Sequence, residues 1–421
     1  MVDFSKIYLF NLNTYLGGGE VLAIRMASYL REKKIDVKVI CSADSYLEET
    51  CKENKLEYIC WPLPNYSVLY MDNDEKNKVL EFWNILADSD RGDRCLVFSF
   101  CMRDIYNISF MNHRTKSGYF ISTGCYHPDE IFYLARKTIW SRYNRAINRR
   151  IYKSYNDHNA ILYMNQYSYE NTMGKKVNGD GSRIIPLPIE CLNNVESEKE
   201  NDFFGKKRNT IICIGRFVDF KYYSFLNIID FLKEHEDYKA LIVGYGPYES
   251  RLKKYAETVS DRVTFTGKVS QEELRELIAS SDIGYAMGTS VLECAAASKP
   301  TVIASMFYPS LRSKSIRKDK CIGIFGDTGS YELGEASYKT NFNSLENVMN
   351  LIAENYDKYR TLSKEYVKNY FIDRVMEQYT NMWDETAFSG DDLPYLFPRV
   401  SKMRFCLKRF LMKRKSRLVK D

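Results

Sequence analysis

A regular alternation of short β-rich runs with helix-length amphipathic runs constrains this chain most. In the first half, strands are predicted at 6–12, 36–41, 56–60, 95–100, 118–122 and 160–164. In the second half, they are predicted at 209–214, 240–243, 262–265, 283–286 and 301–304. Strands that are separated by helices favour right-handed βαβ units and a parallel sheet. The chain is therefore predicted to have an α/β fold.

Its length and one polar segment divide the chain into two domains. The 421 residues exceed a single domain of about 150 residues. Residues 191–208 are polar, charged and aperiodic, which is typical of a linker. We predict Rossmann-like domains at 1–190 and 209–386, followed by a basic tail at 387–421. Two doubly wound domains that face each other leave a cleft at the carboxyl ends of their sheets, where such folds bind ligands.

Composition excludes several classes of protein. Hydrophobic residues make up 45% of the chain and charged residues 28%, which excludes a disordered chain. No window offers the roughly eighteen apolar residues of a membrane-spanning helix, and the N-terminus lacks the pattern of a signal peptide. The 11 cysteines fall singly, without metal-binding spacing. These features predict a cytoplasmic protein with reduced thiols and no metal ion.

The positive charge is concentrated at the C-terminus. The net charge is +6, but residues 399–421 alone hold ten basic residues and one acid, so the first 398 residues have a net charge of −3. As a helix, this tail would carry Met403, Leu407, Phe410 and Leu411 on one side. Such a basic amphipathic helix predicts peripheral attachment to the anionic inner face of the membrane. A solvated terminus and an RNA-binding tail are the alternatives.

A second basic stretch lies at 136–153. It holds seven cations and no acid, and tyrosine and tryptophan are interspersed among them. The stretch is predicted to form one long helix. A solvated helix face and a second membrane contact are both consistent with this pattern.

The clearest local signal for chemistry is the sequence IGRFVDFK. Gly215 and Arg216 follow a predicted strand, and Lys221 falls at the start of the next helix. The positive end of a helix disfavours a cation, so Lys221 is better explained if it and Arg216 face a bound anion such as a diphosphate. Two solvated surface charges are the alternative.

A second signal is the turn Gly288, Thr289 and Ser290 between a strand and a helix. Its backbone N–H groups and hydroxyls would suit phosphate oxygens. Glu293, one turn into the helix, could accept hydrogen bonds from both hydroxyls of a ribose. In the alternative interpretation, Ser290 and Glu293 form a capping box and have only a structural role.

Weaker signals come from glycines at strand ends and from one histidine. Gly244 and Gly246 follow a predicted strand, and Gly18 and Gly19 lie between the first strand and a helix predicted to begin at Glu20. Glycine lets a ligand approach the backbone closely. The Gly18 loop matches neither the dinucleotide-binding nor the P-loop motif. His127 follows a predicted strand and precedes a helix that would begin at Pro128, so it is a candidate ligand-contacting residue.

Taken in order, these motifs resemble the second domain of retaining, GT-B fold glycosyltransferases of family four. The similarity lies in GR-x4-K, VGxGP, VxFxG and GTSxLExAAxxKPxI, and the Gly-Gly-x-Glu loop of the family's first domain is approximated by Gly18, Gly19 and Glu20. The form of the GTS loop is similar to that of polysaccharide-assembly enzymes.

The resemblance implies a transferase of the hexosyltransferase type that uses a nucleotide-diphosphate sugar, UDP-linked, and no cofactor or metal. Arg216 and Lys221 would hold the diphosphate, Glu293 the ribose, and His127 the sugar or leaving group. Gly18, Gly19, Gly244, Gly246, Gly288, Thr289 and Ser290 would complete the donor site. The acceptor would be a glycan or a lipid-linked sugar of a surface polysaccharide, and the β-phosphate of the donor would act as the base.

One position departs from the family pattern. The family commonly has a further glutamate, separated by seven residues from the one that matches Glu293, and this chain has Tyr285 there. Because that glutamate usually contacts the donor sugar, a non-catalytic module that binds nucleotide, glycan or a partner enzyme is an alternative. A nucleotide-sugar epimerase is another, whereas a phosphorylase is disfavoured because no lysine stands out as a cofactor site. No nucleic-acid-binding motif occurs.

Overall fold

A computed structural model describes residues 3–14, 17–127, 130–133, 141–174, 183–190, 209–306, 318–327, 332–334, 342–398, 400 and 405–406. The chain forms two compact units, one of Met1–Pro186 with Val375–Asp421 and one of Leu187–Arg374. The predicted linker at 191–208 and nearly all of the predicted tail helix lie outside the described residues.

The first unit is built on a six-stranded parallel sheet with the strand order β3-β2-β1-β4-β5-β6. Its strands are β1 Lys6–Asn11, β2 Asp36–Ser42, β3 Tyr58–Trp61, β4 Cys95–Ser99, β5 Phe120–Cys125 and β6 Ile161–Tyr163. Its helices are α1 Gly18–Glu32, α2 Tyr46–Glu53, α3 Asn73–Ser89, α4 Met102–Thr115, α5 Ser141–Asp157 and α6 Gln166–Met173. Each strand is followed by a helix, which is the layout that the sequence pattern predicts.

The second unit repeats this topology. Its sheet has the order β12-β11-β10-β7-β8-β9, and only β12 runs antiparallel to its neighbour. The strands are β7 Thr210–Ile214, β8 Lys239–Val243, β9 Val263–Gly267, β10 Ile283–Ala286, β11 Thr301–Ala304 and β12 Cys321–Ile324. The helices are α7 Asp219–Glu234, α8 Glu249–Tyr255, α9 Gln271–Ser280, α10 Thr289–Ala296, α11 Leu345–Glu354 and α12 Tyr356–Val367. The two units confirm the prediction of two Rossmann-like α/β domains.

The final long helix, α13 Ile372–Glu385, carries the chain back to the first unit. Its Tyr379 and Trp383 rings lie 5.9 and 5.4 Å from the ring of Phe98 in β4. The second unit therefore ends at Arg374, whereas the sequence analysis extends that domain to residue 386. Aromatic packing across a long sequence separation is the reason, and a local pattern does not reveal it.

Some element boundaries differ from the predicted ones. Strand β5 begins at Phe120, two residues later than predicted, because Gly118 has φ of +72°, which is not an extended strand conformation. Helix α1 begins two residues before its predicted start at Glu20, and α10 begins two residues before its predicted start at Val291. After His127, the described residues form only a short 3-10 helix, Glu130–Phe132, instead of the predicted α-helix. Among the described residues, no helix is long and apolar enough to cross a membrane.

In both sheets the strand order reverses beside the first strand of the unit. Strand β1 lies between β2 and β4, and β7 lies between β8 and β10. The connections after the two strands at such a switch point diverge to opposite faces of the sheet and leave a crevice at the carboxyl edge. In the second unit, these are the connections that follow β7 and β10.

A buried carboxylate joins three elements at the amino edge of the first sheet. Asp90 follows α3 and accepts hydrogen bonds from the hydroxyls of Tyr8 at 2.7 Å and Tyr119 at 2.6 Å, and it pairs with Lys6. Burial alone would raise the pKa of Asp90, but the hydrogen bonds from Lys6, Tyr119 and Tyr8 outweigh it and hold this pKa below its usual value.

We predict that Asp90→Asn lowers the free energy of unfolding by about 2 kcal/mol, because a buried charge-assisted network is lost. Asp90 has a lowered pKa, so its contribution is present at neutral pH and is lost as the pH falls. The wild type should therefore lose stability on acidification more steeply than the variant. Urea unfolding at pH 7 and pH 4 measures both effects, and equal slopes with pH would contradict the prediction.

Candidate functional site

The loop between β7 and α7 places two cations at the carboxyl edge of the second sheet. Arg216 is exposed directly beyond Gly215, and Lys221 is the third residue of α7. A Cβ atom added to Gly215 would lie 3.5 Å from both Cδ and Nζ of Lys221, so the lysine side chain folds back over the end of β7. No side chain caps the start of α7. The structure thus places both cations beside the positive end of a helix.

The loop after β8 packs directly against this one. The N–H of Phe217 donates to the carbonyl of Tyr245 at 2.9 Å, and the N–H of Tyr248 donates to the carbonyl of Phe217 at 3.1 Å. Gly244 has φ of +146° and Gly246 has φ of +152°. A Cβ atom on Gly244 would overlap the carbonyl oxygen of Gly215. A Cβ atom on Gly246 would lie 2.6 Å from the carbonyl oxygen of Phe217. Both glycines are therefore required for the loops to approach each other.

The turn between β10 and α10 lies on the other side of β7. Gly288 is the N-cap of α10 with φ of +72°, and its N–H donates to the carbonyl of Leu333 at 2.7 Å. Thr289 and Ser290 are the first two helical residues, so their N–H groups lack intrahelical acceptors. Because Ser290 lies inside the helix, it is not the N-cap, and the capping-box interpretation of Ser290 with Glu293 is wrong.

Glu293 lies one turn into α10 and is half-buried. Its helix is held against the sheet at Gly284 of β10, where an added Cβ atom would lie 2.7 Å from Cβ of Cys294. Tyr285, in contrast, is buried within β10, and its hydroxyl donates to the carbonyl of Ser224 at 3.0 Å. Tyr285 is therefore part of the core.

In the first unit, a carboxylate lies at the start of α1. Glu20 is buried, and Oε1 accepts hydrogen bonds from the amides of Asn13 at 2.7 Å and Asn11 at 3.3 Å. A Cβ atom on Gly17 would lie 2.6 Å from Oε2 of Glu20, so the carboxylate covers the helix start. Gly18 and Gly19 form the first turn of α1 beside this negative charge. Uncharged hydroxyl groups suit this helix start better than a phosphate does.

His127 lies just beyond the carboxyl end of β5, where it is exposed. Its carbonyl accepts a hydrogen bond from the N–H of Glu130 at 3.1 Å. His127 and the Gly18–Gly19 turn belong to the first unit, whereas the other candidate residues all belong to the second. The structure thus brings together the candidates that follow β7, β8 and β10, which are neighbouring strands.

The sequence analysis missed a buried charged cluster between the ends of β4 and β5. Arg103 Nε donates to Oδ1 of the fully buried Asp104 at 2.8 Å, and Glu130 accepts the N–H of Met102 at 3.1 Å. Nη2 of Arg103 is buried and has no hydrogen-bond partner. The available signal in the sequence was a pair of opposite charges three and four residues after the predicted strand at 95–100, a position that usually faces solvent or a ligand.

Only one described group has the composition of a metal site. Side-chain ligand atoms of Asp90, Asp93 and Cys95 lie within 4.8 Å of one another among the described residues. Asp90 and Asp93 precede β4 and Cys95 is its first residue, so the group lies at the amino edge of the first sheet, in a different unit from Arg216, Lys221 and Glu293. Lys6 already neutralises Asp90 there. This group gives no reason to place a metal ion at the candidate site.

Comparisons with known proteins agree with this geometry. Residues 194–323 match the family model of the Glycosyl transferases group 1, which spans the Arg216, Lys221 and Glu293 motifs. No curated protein sequence matches the chain. The family match and the fold together support a glycosyltransferase.

Solved glycosyltransferase structures share the fold. HepE from Anabaena, solved with UDP, is 14% identical with a TM-score of 0.59, and the alignment covers 89% of this chain and 98% of HepE. A glycosyltransferase from Rickettsia africae is 12% identical with a TM-score of 0.59 and coverage of 91% and 98%. A TarM variant from S. aureus, also solved with UDP, is 10% identical with a TM-score of 0.55 and coverage of 90% and 99%. At these identities, the similarity shows the GT-B fold.

We predict that Gly244→Ala destabilises the second unit by about 3 kcal/mol, because the new methyl group overlaps a backbone oxygen at a φ that favours glycine. Gly18→Ala is the control, since a Cβ atom there would have no neighbour within 4 Å. Thermal unfolding of both variants measures the difference. Equal stability of Gly244→Ala and wild type would show that the two loops are not closely packed.

Proposed function

We propose that this protein is a metal-independent, retaining glycosyltransferase that transfers a hexose from a UDP-sugar to a glycan or lipid-linked acceptor during surface polysaccharide synthesis. The family match supports the glycosyl-transfer reaction, and the UDP complexes of HepE and TarM support a uridine nucleotide. The motifs after β7 and β10 support a donor bound by the second unit.

The observation that carries the proposal is the position of Arg216, Lys221 and the start of α10 at one switch point. Strands β7 and β10 are paired, so the loops after them adjoin the same crevice. Two cations and free helical N–H groups suit the two negative charges of a diphosphate. The same groups stabilise the charge that develops on the leaving diphosphate, which makes a metal ion unnecessary.

Glu293 provides the second element of donor recognition. Its position one turn inside α10 places a carboxylate close to the helix start that would hold the diphosphate. A ribose links a diphosphate to its base, and one carboxylate accepts hydrogen bonds from two neighbouring hydroxyls. Because Ser290 lies inside α10 and is not its N-cap, Ser290 and Glu293 do not form a capping box.

The first unit would contribute the acceptor side. The Glu20 carboxylate accepts hydrogen bonds from two asparagine amides, and its acceptor oxygens favour sugar hydroxyls near Gly18 and Gly19. His127, exposed beyond β5, would contact the sugar or the leaving group. The β-phosphate of the donor would take the proton of the attacking acceptor hydroxyl.

Tyr285 favours a second candidate function, a nucleotide-binding module without turnover. Because its side chain is buried in the core, Tyr285 does not replace the carboxylate that the family commonly has at this point. The donor sugar must then be held by other groups if transfer occurs. Measurement of binding and turnover in the same preparations separates the two functions.

The basic tail would attach the enzyme to the anionic inner face of the membrane, where lipid-linked acceptors are found. Residues 399–421 hold ten basic residues and one acid. About 1 kcal/mol of binding free energy is expected for each cation near an anionic surface. This part of the proposal depends on the charge of the segment and on the apolar residues among its cations.

We predict that UDP raises the melting temperature of the wild type more than GDP, ADP or CMP does, and that Lys221→Ala abolishes this shift, since a ligand of the folded state stabilises it. Transfer from UDP-sugars should fall by a factor of about 100 or more in the variant, because charge stabilisation of the leaving group is lost. Lys233→Ala is the matched control, because Lys233 lies in the last turn of the same helix.

Full transfer activity in Lys221→Ala would refute the assignment. A UDP shift without transfer from any UDP-sugar would favour the nucleotide-binding module. No shift with any nucleotide would contradict both functions.

We also predict that Glu293→Ala removes the preference for UDP over 2′-deoxy-UDP. In the wild type, loss of the 2′-hydroxyl should weaken binding roughly tenfold, the effect of one charge-assisted hydrogen bond. The variant should bind the two nucleotides equally if its carboxylate contacts the ribose. Calorimetric titration measures both affinities, and an unchanged preference would place Glu293 away from the ribose.

A further inference from the structure

One side of α5 is unusually basic for a protein whose body is acidic. Ile147, Ile151 and Tyr155 are buried on one side of this helix. The opposite side exposes Arg142, Arg150 and Lys153, which lie along about 16 Å at a rise of 1.5 Å per residue, and one acid, Asp157, one turn beyond Lys153. The first 398 residues have a net charge of −3, so this positive surface is a local feature.

The three exposed cations of α5 differ from its other two cations, Arg145 and Arg149, in their contacts. Arg149 donates to the carbonyl of Thr172 at 3.0 Å, and Arg145 lies 5.5 Å from the ring centre of Phe132. Within the part of the chain that the structure describes, Arg142, Arg150 and Lys153 form no ion pair. Positive charges along one side of a helix repel one another, and an anionic partner would reduce that repulsion.

Aromatic rings accompany the cations. Tyr143 is 52% exposed beside Arg142, and Tyr395 is 77% exposed on the 3-10 helix Leu393–Leu396, which contacts both α4 and α5 and places the Tyr395 ring 5.2 Å from that of His113 in α4. Exposed tyrosines suit a membrane interface, because the ring is apolar and its hydroxyl is polar.

The chain contacts α5 shortly before its basic C-terminal segment begins in the sequence. The 3-10 helix Leu393–Leu396 ends three residues before Arg399, the first of the ten cations in 399–421. That segment also contains Leu407, Phe410 and Leu411. Lipid buries such apolar side chains and neutralises the cations, whereas RNA would do only the latter.

We propose that the exposed side of α5, with Tyr143 and Tyr395, docks on the surface of an anionic lipid bilayer. This α5 surface provides a structured contact in addition to the basic tail. It would fix the orientation of the first unit on the membrane, which a tail alone does not do. The inference does not depend on nucleotide binding or on transfer.

The test is cosedimentation of the full chain with vesicles of phosphatidylglycerol and phosphatidylcholine, and with vesicles of phosphatidylcholine alone. The wild type should bind only the anionic vesicles, and less tightly as salt is added. The triple variant Arg142→Gln, Arg150→Gln, Lys153→Gln should bind them roughly a hundredfold more weakly, because each charge contributes about fivefold. Tyr143→Ala should weaken binding even at high salt, where screening has removed the charge effect.

The matched control is Lys239→Gln, Lys254→Gln, Lys364→Gln, which removes three exposed cations from the second unit. It should bind as the wild type does, and unchanged melting temperatures exclude misfolding. In a full chain whose tail cations are replaced by glutamine, the α5 triple variant should still weaken binding by a similar factor.

If the α5 triple variant binds anionic vesicles as tightly as the wild type does, the proposal is overturned. Equal loss in the α5 variant and the second-unit control would also overturn it, because only total charge would then matter. If the α5 variant weakens binding of a single-stranded RNA and leaves vesicle binding intact, the surface binds nucleic acid instead. Absence of UDP binding would refute the proposed function and leave this result unaffected.

Discussion

The candidate site depends on the close contact of two backbone loops in the second unit. Gly244 and Gly246 allow the loop after β8 to lie directly against Gly215 and Phe217, with hydrogen bonds between the loops. A side chain at either glycine would force the loops apart. The contact fixes the point at which β7 ends, so Arg216 and the folded-back side chain of Lys221 occupy defined positions at the sheet edge. Charge stabilisation requires this order, because donors that must reorganise first stabilise a developing charge less.

The two units use one topology with opposite local charge. In the second unit, the loop after β7, its first strand, carries two cations. Across the switch point, the start of α10 offers backbone N–H groups to an anion. In the first unit, the start of α1, the helix after the first strand, is covered by the carboxylate of Glu20, which two asparagines hold in place. The same strand order therefore creates a crevice suited to a diphosphate in one unit and a helix end suited to neutral hydroxyls in the other. This difference follows from a few side chains at strand ends and agrees with a donor in the second unit.

The interpretation of Glu293 and Tyr285 as motif residues depends on where β10 ends and α10 begins. By sequence alone, Ser290 and Glu293 match a capping box, and Tyr285 stands where a catalytic carboxylate is common. In the structure, α10 begins at Thr289 with Gly288 as its N-cap, so Ser290 lies inside the helix. The structure also places Tyr285 within β10, with its hydroxyl bonded to a backbone carbonyl. Strand β10 continues to Ala286, so residue 285 belongs to the strand and not to the short turn that follows. From the strand, its side chain does not reach a ligand bound at the turn.

The sequence by itself determined the α/β class, the two series of βαβ units and the exact limits of β10 and β11, because hydrophobic periodicity and glycine punctuation are local properties. It also predicted Arg216, Lys221 and Glu293 as candidate site residues, since charges at strand and helix ends are visible in one dimension. Only the tertiary structure decided which strands are neighbours, and hence that the loops after β7, β8 and β10 adjoin one another. It alone revealed the return of α13 to the first unit and the buried Arg103–Asp104 pair. These features arise from contacts between residues that are distant in sequence or from burial, and neither leaves a periodic pattern in the chain.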